Sequence, residues 1–236
     1  MGRIVAMGGH ERVEFFHYIV DLCGREKPHF LFVATASEDK TEYYAQISMR
    51  VSDLGCDTRP LYLFRRKYTK KQLDELFAWS DIIYVCGGDT YKMVHKWQEC
   101  GVDAYLKKVF EEDSAVLCGS SAGGICWFRR GFSDASRTPE YPPHGWVDGI
   151  GIFPDRTFCP HFASRRDAYE QALRDSGEEG FGMADHSAYV YDNGKESFIR
   201  YDETCAVVVY TQGPDGLQMT EPEVLNLSEK YPAEEK

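Results

Sequence analysis

Gly119, Ser120, Ser121, Ala122 and Gly123 fit the pattern G-x-S-x-G, in which a serine occupies a sharp, strained turn between a strand and a helix. The glycines stand two before and two after Ser121, where a Cβ would collide with the crossing backbone. Ser121 is therefore the centre; Ser120, with Cys118 and Ala122 at those offsets, fits less well. At such a turn the hydroxyl is presented to a ligand. The amide of Ala122 opens the following helix, where it can face an oxygen that gains negative charge. The chemistry this serves is nucleophilic attack on a carbonyl.

A serine nucleophile needs a base, and the base needs an orienting acid. Of seven histidines, His17 and His95 fall within helical patterns, and His10, His29 and His144 sit in loops or at element edges. His161, in TFCPHF, follows a short apolar strand and is stiffened by Pro160. His186, in GMADHSA, lies at another element edge directly after Asp185. Spacing does not choose between His161 and His186, and a carboxylate such as Asp155 is available to the second. A further glycine-rich strand end, YVCGGDTYKM, exposes main-chain amides at Gly87 and Gly88. Asp89 or Thr90 is placed there to cap the next helix. Gly88 is the candidate for a second oxyanion donor, because neighbouring strand ends of a doubly wound sheet face one crevice.

Groups spread from residue 88 to residue 186 need a fold that gathers loop ends. Apolar runs alternate with amphipathic ones through the first two thirds of the chain. RIVAMGG, HFLFVATAS, TRPLYLF, DIIYVCGG and AVLCGS read as strands; RVEFFHYIVDLCG, DKTEYYAQISMRVSDLG, TKKQLDELFAWS and TYKMVHKWQECGVDAYLKKVFEED read as helices between them. This predicts an α/β fold: a single doubly wound, mostly parallel sheet with helices on both faces. Past residue 130 the texture changes. GFSDASRTPEYPPHGW reads as a long surface loop, and SAYVYDNGKESFIRY is a late β-hairpin with Asp192-Asn193-Gly194 at its turn. No repeat or linker divides the chain, so residues 1–228 are expected as one domain and 229–236 as a frayed tail.

Composition narrows the function classes. A hydrophobic fraction of 43% with 28% charged residues is that of a globular protein. The net charge of -11 argues against a nucleic-acid partner, which clustered Lys and Arg would have to hold. No run approaches the length of a membrane span. The opening MGRIVAMGGH lacks the features of a secretory signal and has Ala6 where myristoylation wants Ser or Thr, so a cytoplasmic location is expected. Eight cysteines are scattered singly, with no CxxC pair. They read as reduced core thiols, and neither metal nor cofactor is expected.

Together these pieces resemble peptidase family S51, the serine peptidases that include aspartyl dipeptidase (peptidase E) and cyanophycinase, with an architecture similar to class I glutamine amidotransferases. AMGGH follows the first strand, VCGGDTYKM is similar to the family's GG-N/D-T segment, and GSSAGG to its G-x-S-A-G elbow. CPHF is similar to its P-H-F segment, and GFGMADHSA to its late glycine-rich strand carrying an acid.

Carried over residue by residue, the resemblance implies Ser121 as nucleophile, His161 as base, and Asp185 at the position of the late acid, usually Glu. Asp134, in GFSDASR, is the second candidate acid. Gly88 and Ala122 would supply the oxyanion amides. Arg166, in SRRDAYE, matches the arginine that takes a substrate carboxylate, with Arg165 beside it. Asp89, where the dipeptidase often has Asn, and Thr90 fall in the segment that meets the substrate. The implied activity is hydrolysis of a small peptide, first of all a dipeptide with an acidic first residue. The alternatives are a cyanophycin or isoaspartyl-type substrate and a non-catalytic binding module of the same fold. A thiol amidase using Cys118 or Cys126 fits poorly, because neither holds the elbow centre. Self-association into a homodimer is left open.

Overall fold

The computed structural model describes residues 2–134 and 144–232 of the 236. Its first half alternates as the apolar pattern demands: β1 (Arg3–Met7), α1 (Val13–Cys23), β2 (His29–Val33), α2 (Thr41–Ser52), β3 (Asp57–Leu61), α3 (Lys70–Trp79), β4 (Ile82–Val85), α4 (Thr90–Cys100), α5 (Val102–Glu112) and β5 (Val116–Ser120). Local chemistry sets these bounds. Thr69 caps α3, its hydroxyl accepting from the Gln72 N–H while Gln72 Oε1 accepts from the Thr69 N–H. The helical run after Thr90 is interrupted at Gly101, which divides it into α4 and α5. Strands β4 and β5 are buried along their whole length, as their unbroken apolar runs require.

The five strands pair in parallel in the order β1-β5-β4-β2-β3. The sheet grows beyond β1 by the expected hairpin, β10 (Ser187–Asp192) and β11 (Lys195–Arg200). Asp192 pairs with Lys195 across a two-residue turn. Asn193 and Gly194 both have positive φ, 49° and 96°, which matches the strand twist and explains the Asn-Gly pair.

A single sheet was expected, and here the structure corrects the sequence reading: there are two. The helix after Ser121 is one turn only, α6 (Ala122–Ile125), and the chain leaves it as β6 (Phe128–Ser133). Without a long crossover helix it does not add the next parallel strand to the first sheet. It founds a second one with β7 (Gly145–Asp148), β8 (Phe153–Cys159), β9 (Gly180–Met183), β12 (Val207–Gly213) and β13 (Gly216–Thr220), in the order β13-β12-β9-β8-β6-β7. Both ends of the expected 131–146 loop pair as strands, Ser133 opposite Gly145. Helix α7 (Phe162–Ser176) covers this sheet over a small core of Phe132, Phe162, Tyr169, Leu173 and Tyr210. An aromatic layer joins the two sheets: from the second sheet Phe128 meets Tyr189 of the first edge-on at 5.7 Å, and Phe181 stacks on Tyr189 at 4.5 Å.

The tail expected from residue 229 is packed through Tyr231. After β14 (Leu225–Asn226), α8 (Leu227–Lys230) buries Leu227 completely, and Tyr231 stacks on His17 while donating to Asp21. Among the described residues no helix is long and apolar enough to cross a membrane. Leu227→Ala is expected to cost about 2–5 kcal/mol, the range for emptying a buried leucine site. Urea unfolding should show a lower midpoint at unchanged slope.

Candidate active site

The site forms where the carboxyl ends of the two sheets meet. In the first sheet β1 and β5 are parallel neighbours with Met7 opposite Ser120, so Gly8 and Ser121, one residue beyond each, emerge together. In the second sheet β8 and β9 are parallel neighbours with Cys159 opposite Gly182. His161 and Asp185 lie two residues past the ends of those strands. Backbone hydrogen bonds bring the two pairs into register. The carbonyls of Met7, Gly8 and Gly9 accept in turn from the N–H groups of Ser121, His161 and His186, each at 3.0 Å.

Side chains then meet. His161 Nε2 is 2.9 Å from Ser121 Oγ, and its Nδ1 is 2.6 Å from Asp185 Oδ1. Of the two histidines that spacing could not separate, His161 is therefore the one in contact with the serine. His186 shares the neighbourhood through its ring, 6.3 Å from that of His10. His10 in turn is 3.8 Å from the second oxygen of Asp185.

Close packing explains the glycines. A Cβ on Gly119 would lie 2.4 Å from the Gly123 carbonyl, and one on Gly123 would lie 2.1 Å from the Val85 carbonyl. The two G-x-S-x-G glycines are thus required by backbone approach. Gly9 had no assigned role in the sequence. A Cβ there would meet His161 Cε1 at 2.3 Å and Asp185 Oδ1 at 2.4 Å, so the loop after β1 lies directly against the imidazole-carboxylate pair. Ser121 itself has φ 54° and ψ -109°, a conformation that costs an L-residue energy and that clusters at functional sites.

The remaining expected residues divide. Ala122 begins α6, and among the described residues neither its N–H nor that of Gly88 has an acceptor. Of the two glycines at the end of β4, Gly87 is the one whose Cβ position faces Ser121 Cβ, at 3.5 Å; Gly88 packs its Cα against Ala36. Asp89 is engaged as the cap of α4, accepting from the Lys92 N–H at 2.9 Å. Thr90, expected at the substrate, is fully buried. Asp134, the second candidate acid, receives Arg165 at 3.0 Å, while the Nδ1 of His161 takes Asp185. Arg165 is buried and also donates to the Phe132 carbonyl, tying α7 to β6. Arg166, expected to bind a substrate carboxylate, points along α7 to Glu170 at 3.0 Å and to Met219.

One wall of the crevice has no counterpart in the sequence reading. Tyr43 and the fully buried Tyr84 both donate to Glu11 Oε1, Tyr43 at 3.0 Å. The Tyr43 hydroxyl lies 4.0 Å from the Cβ position of Gly87. Burial first, and then the Glu11 charge, raise both phenols above their usual pKa, so they remain protonated donors. Glu11 directly precedes a helical run and Tyr84 lies in a buried strand, so neither carried a signal.

His10, His161 and Asp185 offer donor atoms within 4.8 Å of one another, a spacing open to a divalent ion. Both ring nitrogens of His161, however, already serve hydrogen bonds to Ser121 and Asp185. Cysteine chemistry is disfavoured. Cys118 and Cys126 are fully buried, and desolvation raises both thiols well above their ordinary pKa, which suppresses the reactive thiolate.

The sequence model of Peptidase family S51 matches residues 4–199. The chain belongs to this family. A curated relative, the uncharacterized peptidase YgaJ of Bacillus subtilis (strain 168), is 32% identical over 182 residues, which are 73% of this chain and 75% of the relative. The crystal structure of a peptidase from an acI-B1 Actinobacterium superposes with a TM-score of 0.72 at 19% identity, covering 94% of each chain. The α/β fold is shared with that structure, and the protein is an S51 peptidase, a hydrolase.

Two outcomes are expected from this geometry. Gly9→Ala should lower turnover by about 100-fold or more, since a misplaced catalytic group costs that much. The fold should survive, which circular dichroism and steady-state kinetics together would check. Iodoacetamide at neutral pH should leave activity intact, with peptide mapping showing Cys118 and Cys126 unmodified.

Proposed function

We propose that this S51 peptidase cleaves short peptides by a serine mechanism, with Ser121 as nucleophile, His161 as general base and Asp185 as the orienting acid. The observation that carries this reading is the pair of contacts of one imidazole, 2.9 Å to the Ser121 hydroxyl and 2.6 Å to Asp185. The Ser121 hydroxyl attacks the scissile carbonyl carbon, and its proton passes to Nε2 of His161. Asp185 accepts from Nδ1–H, which fixes the tautomer and offsets the imidazolium charge. The oxyanion is received by the N–H groups of Ala122 and Gly88. His161 then protonates the departing amine, and water hydrolyses the acyl-enzyme by the same route in reverse.

The substrate proposed first is a dipeptide with an amino-terminal Asp, on the family resemblance. Cyanophycin-type β-linked peptides are the alternative. Arg166 supports an acidic preference once it is released from Glu170. A cytoplasmic site of action suits the eight unpaired cysteines, which need a reducing compartment.

A fluorophosphonate probe should label the wild type at Ser121, and labelling should vanish in Ser121→Ala. His161→Ala should lose on the order of 10³-fold or more in kcat, while His186→Ala stays within about tenfold. The reverse order for the two histidines would sink the assignment. Hydrolysis of β-Asp-Arg but not Asp-Leu would replace the dipeptidase reading with the cyanophycin-type one.

A further inference from the structure

We propose that Glu11 binds the free α-ammonium group of the substrate, so that the enzyme reads peptides from their amino terminus. This deepens the reading above and rests on Ser121 as nucleophile.

Position is the first argument. Glu11 stands two residues beyond Gly9, whose Cα lies against the His161–Asp185 pair. On its other side, Tyr43 shares Glu11 Oε1 with Tyr84 and borders Gly87. The Cβ position of Gly87 is 3.5 Å from Ser121 Cβ and 4.0 Å from the Tyr43 hydroxyl. One glycine therefore has the nucleophile on one side and, on the other, the tyrosine hydroxyl that donates to the carboxylate. In an α-peptide the terminal nitrogen lies about 2.5 Å from its own carbonyl carbon, two bonds away. An acceptor for that nitrogen has to lie within a few ångströms of the nucleophile, and Glu11 reaches that side of Gly87 through the Tyr43 hydroxyl.

Charge is the second argument. Among the described residues the other buried or half-buried glutamates meet cations: Glu14 meets Arg12, Glu170 meets Arg166 and Arg174, Glu178 meets Arg129 and Arg130, and Glu179 meets Arg156. Among the described residues, no Lys, Arg or His lies within 4.0 Å of the Glu11 carboxylate. Arg50 comes near but donates to the Glu11 main-chain carbonyl. Two neutral phenols hold one carboxylate oxygen and leave the charge uncompensated. A partly buried carboxylate of that kind favours a cationic partner, and in this crevice the substrate is the available source. The tyrosines also hold the carboxylate in place, so little ordering remains to be done on binding.

The consequence is a ruler. With the ammonium on Glu11 and the carbonyl at Ser121, one residue occupies the acyl side, and the acyl-enzyme carries a single amino acid. Acylated or internal peptides lack the group that Glu11 would receive.

The experiment compares Asp-Leu, Ala-Leu, their N-acetyl forms and N-acetyl-Lys-Leu on the wild type, Glu11→Gln and Glu11→Asp, with the rate of fluorophosphonate labelling followed in parallel. Gln keeps an acceptor for both phenols, and the probe carries no ammonium, so labelling should stay within about twofold. KM for the free-amine peptides should rise tenfold or more in Glu11→Gln with kcat within about threefold. Glu11→Asp should recover part of that loss, and the wild type should spare the N-acetyl peptides. An unchanged KM in a Gln variant that still labels overturns the proposal while leaving the serine reading in place. Equal cleavage of free and N-acetyl peptides does the same. Glu11-dependent cleavage of N-acetyl-Lys-Leu would assign the carboxylate to a basic side chain and overturn the terminal reading. A wild type that neither labels nor cleaves overturns both.

Discussion

Three consecutive carbonyls, those of Met7, Gly8 and Gly9, hold the amides of Ser121, His161 and His186, and the site depends on that registration. Each bond is worth only about 0.5–1.5 kcal/mol net, so the set contributes modestly to stability. Its effect is positional. Ser121 comes from the first sheet, His161 and Asp185 from the second, and one extended stretch after β1 fixes both at hydrogen-bond spacing. A shift of one residue in that stretch would present different carbonyls and separate the serine from the imidazole.

Such registration is bought with local strain. Eight non-glycine residues among those described have positive φ, and His10, Ser121, His161 and His186 are four of them. Each conformation costs of order 1 kcal/mol and persists only where the surroundings over-determine it. Here they do: the amides of Ser121, His161 and His186 are held by the same stretch, and Gly119, Gly123 and Gly9 leave no volume for an alternative path. Strain and close packing are thus two sides of one device, which keeps the hydroxyl and imidazole oriented before any substrate arrives.

Much of this was legible where local chemistry decides. The elbow glycines, the Thr69 cap and the Asn193-Gly194 turn act over a few residues, and their side-chain types state the backbone they need. Asp89 was legible in the same way, as a helix cap. What stayed hidden depends on long-range pairing. Nothing within RRGFS or TFC says which sheet they join, so a second sheet read as a continuation of the first. His161 and His186 occupy similar edges, and only the parallel pairing of β8 with β9 puts His161 and Asp185 side by side. Arg165 and Asp134 are similarly separated in sequence, and only the fold brings them together as an ion pair at 3.0 Å. Glu11 was silent because its neighbours in sequence describe a helix start, while its neighbours in space are tyrosines from α2 and β4.

The shorter acid at position 185 is explained by the same crowding. The resemblance implies Glu there, with one more methylene between backbone and carboxylate. In this chain the Asp185 oxygen closes to 2.6 Å on His161, so the shorter arm already spans the gap. The Cα of Gly9 bounds the pair from one side, since a Cβ there would stand 2.4 Å from that oxygen and 2.6 Å from His161 Nδ1. A longer side chain would have to fold back on itself or displace the loop after β1. Moving that loop would disturb the carbonyls that hold Ser121 and His161. Asp at 185 and Gly at 9 are therefore coupled choices: the backbone comes close enough to forbid a side chain on the loop, and that closeness lets the shorter carboxylate reach His161 Nδ1.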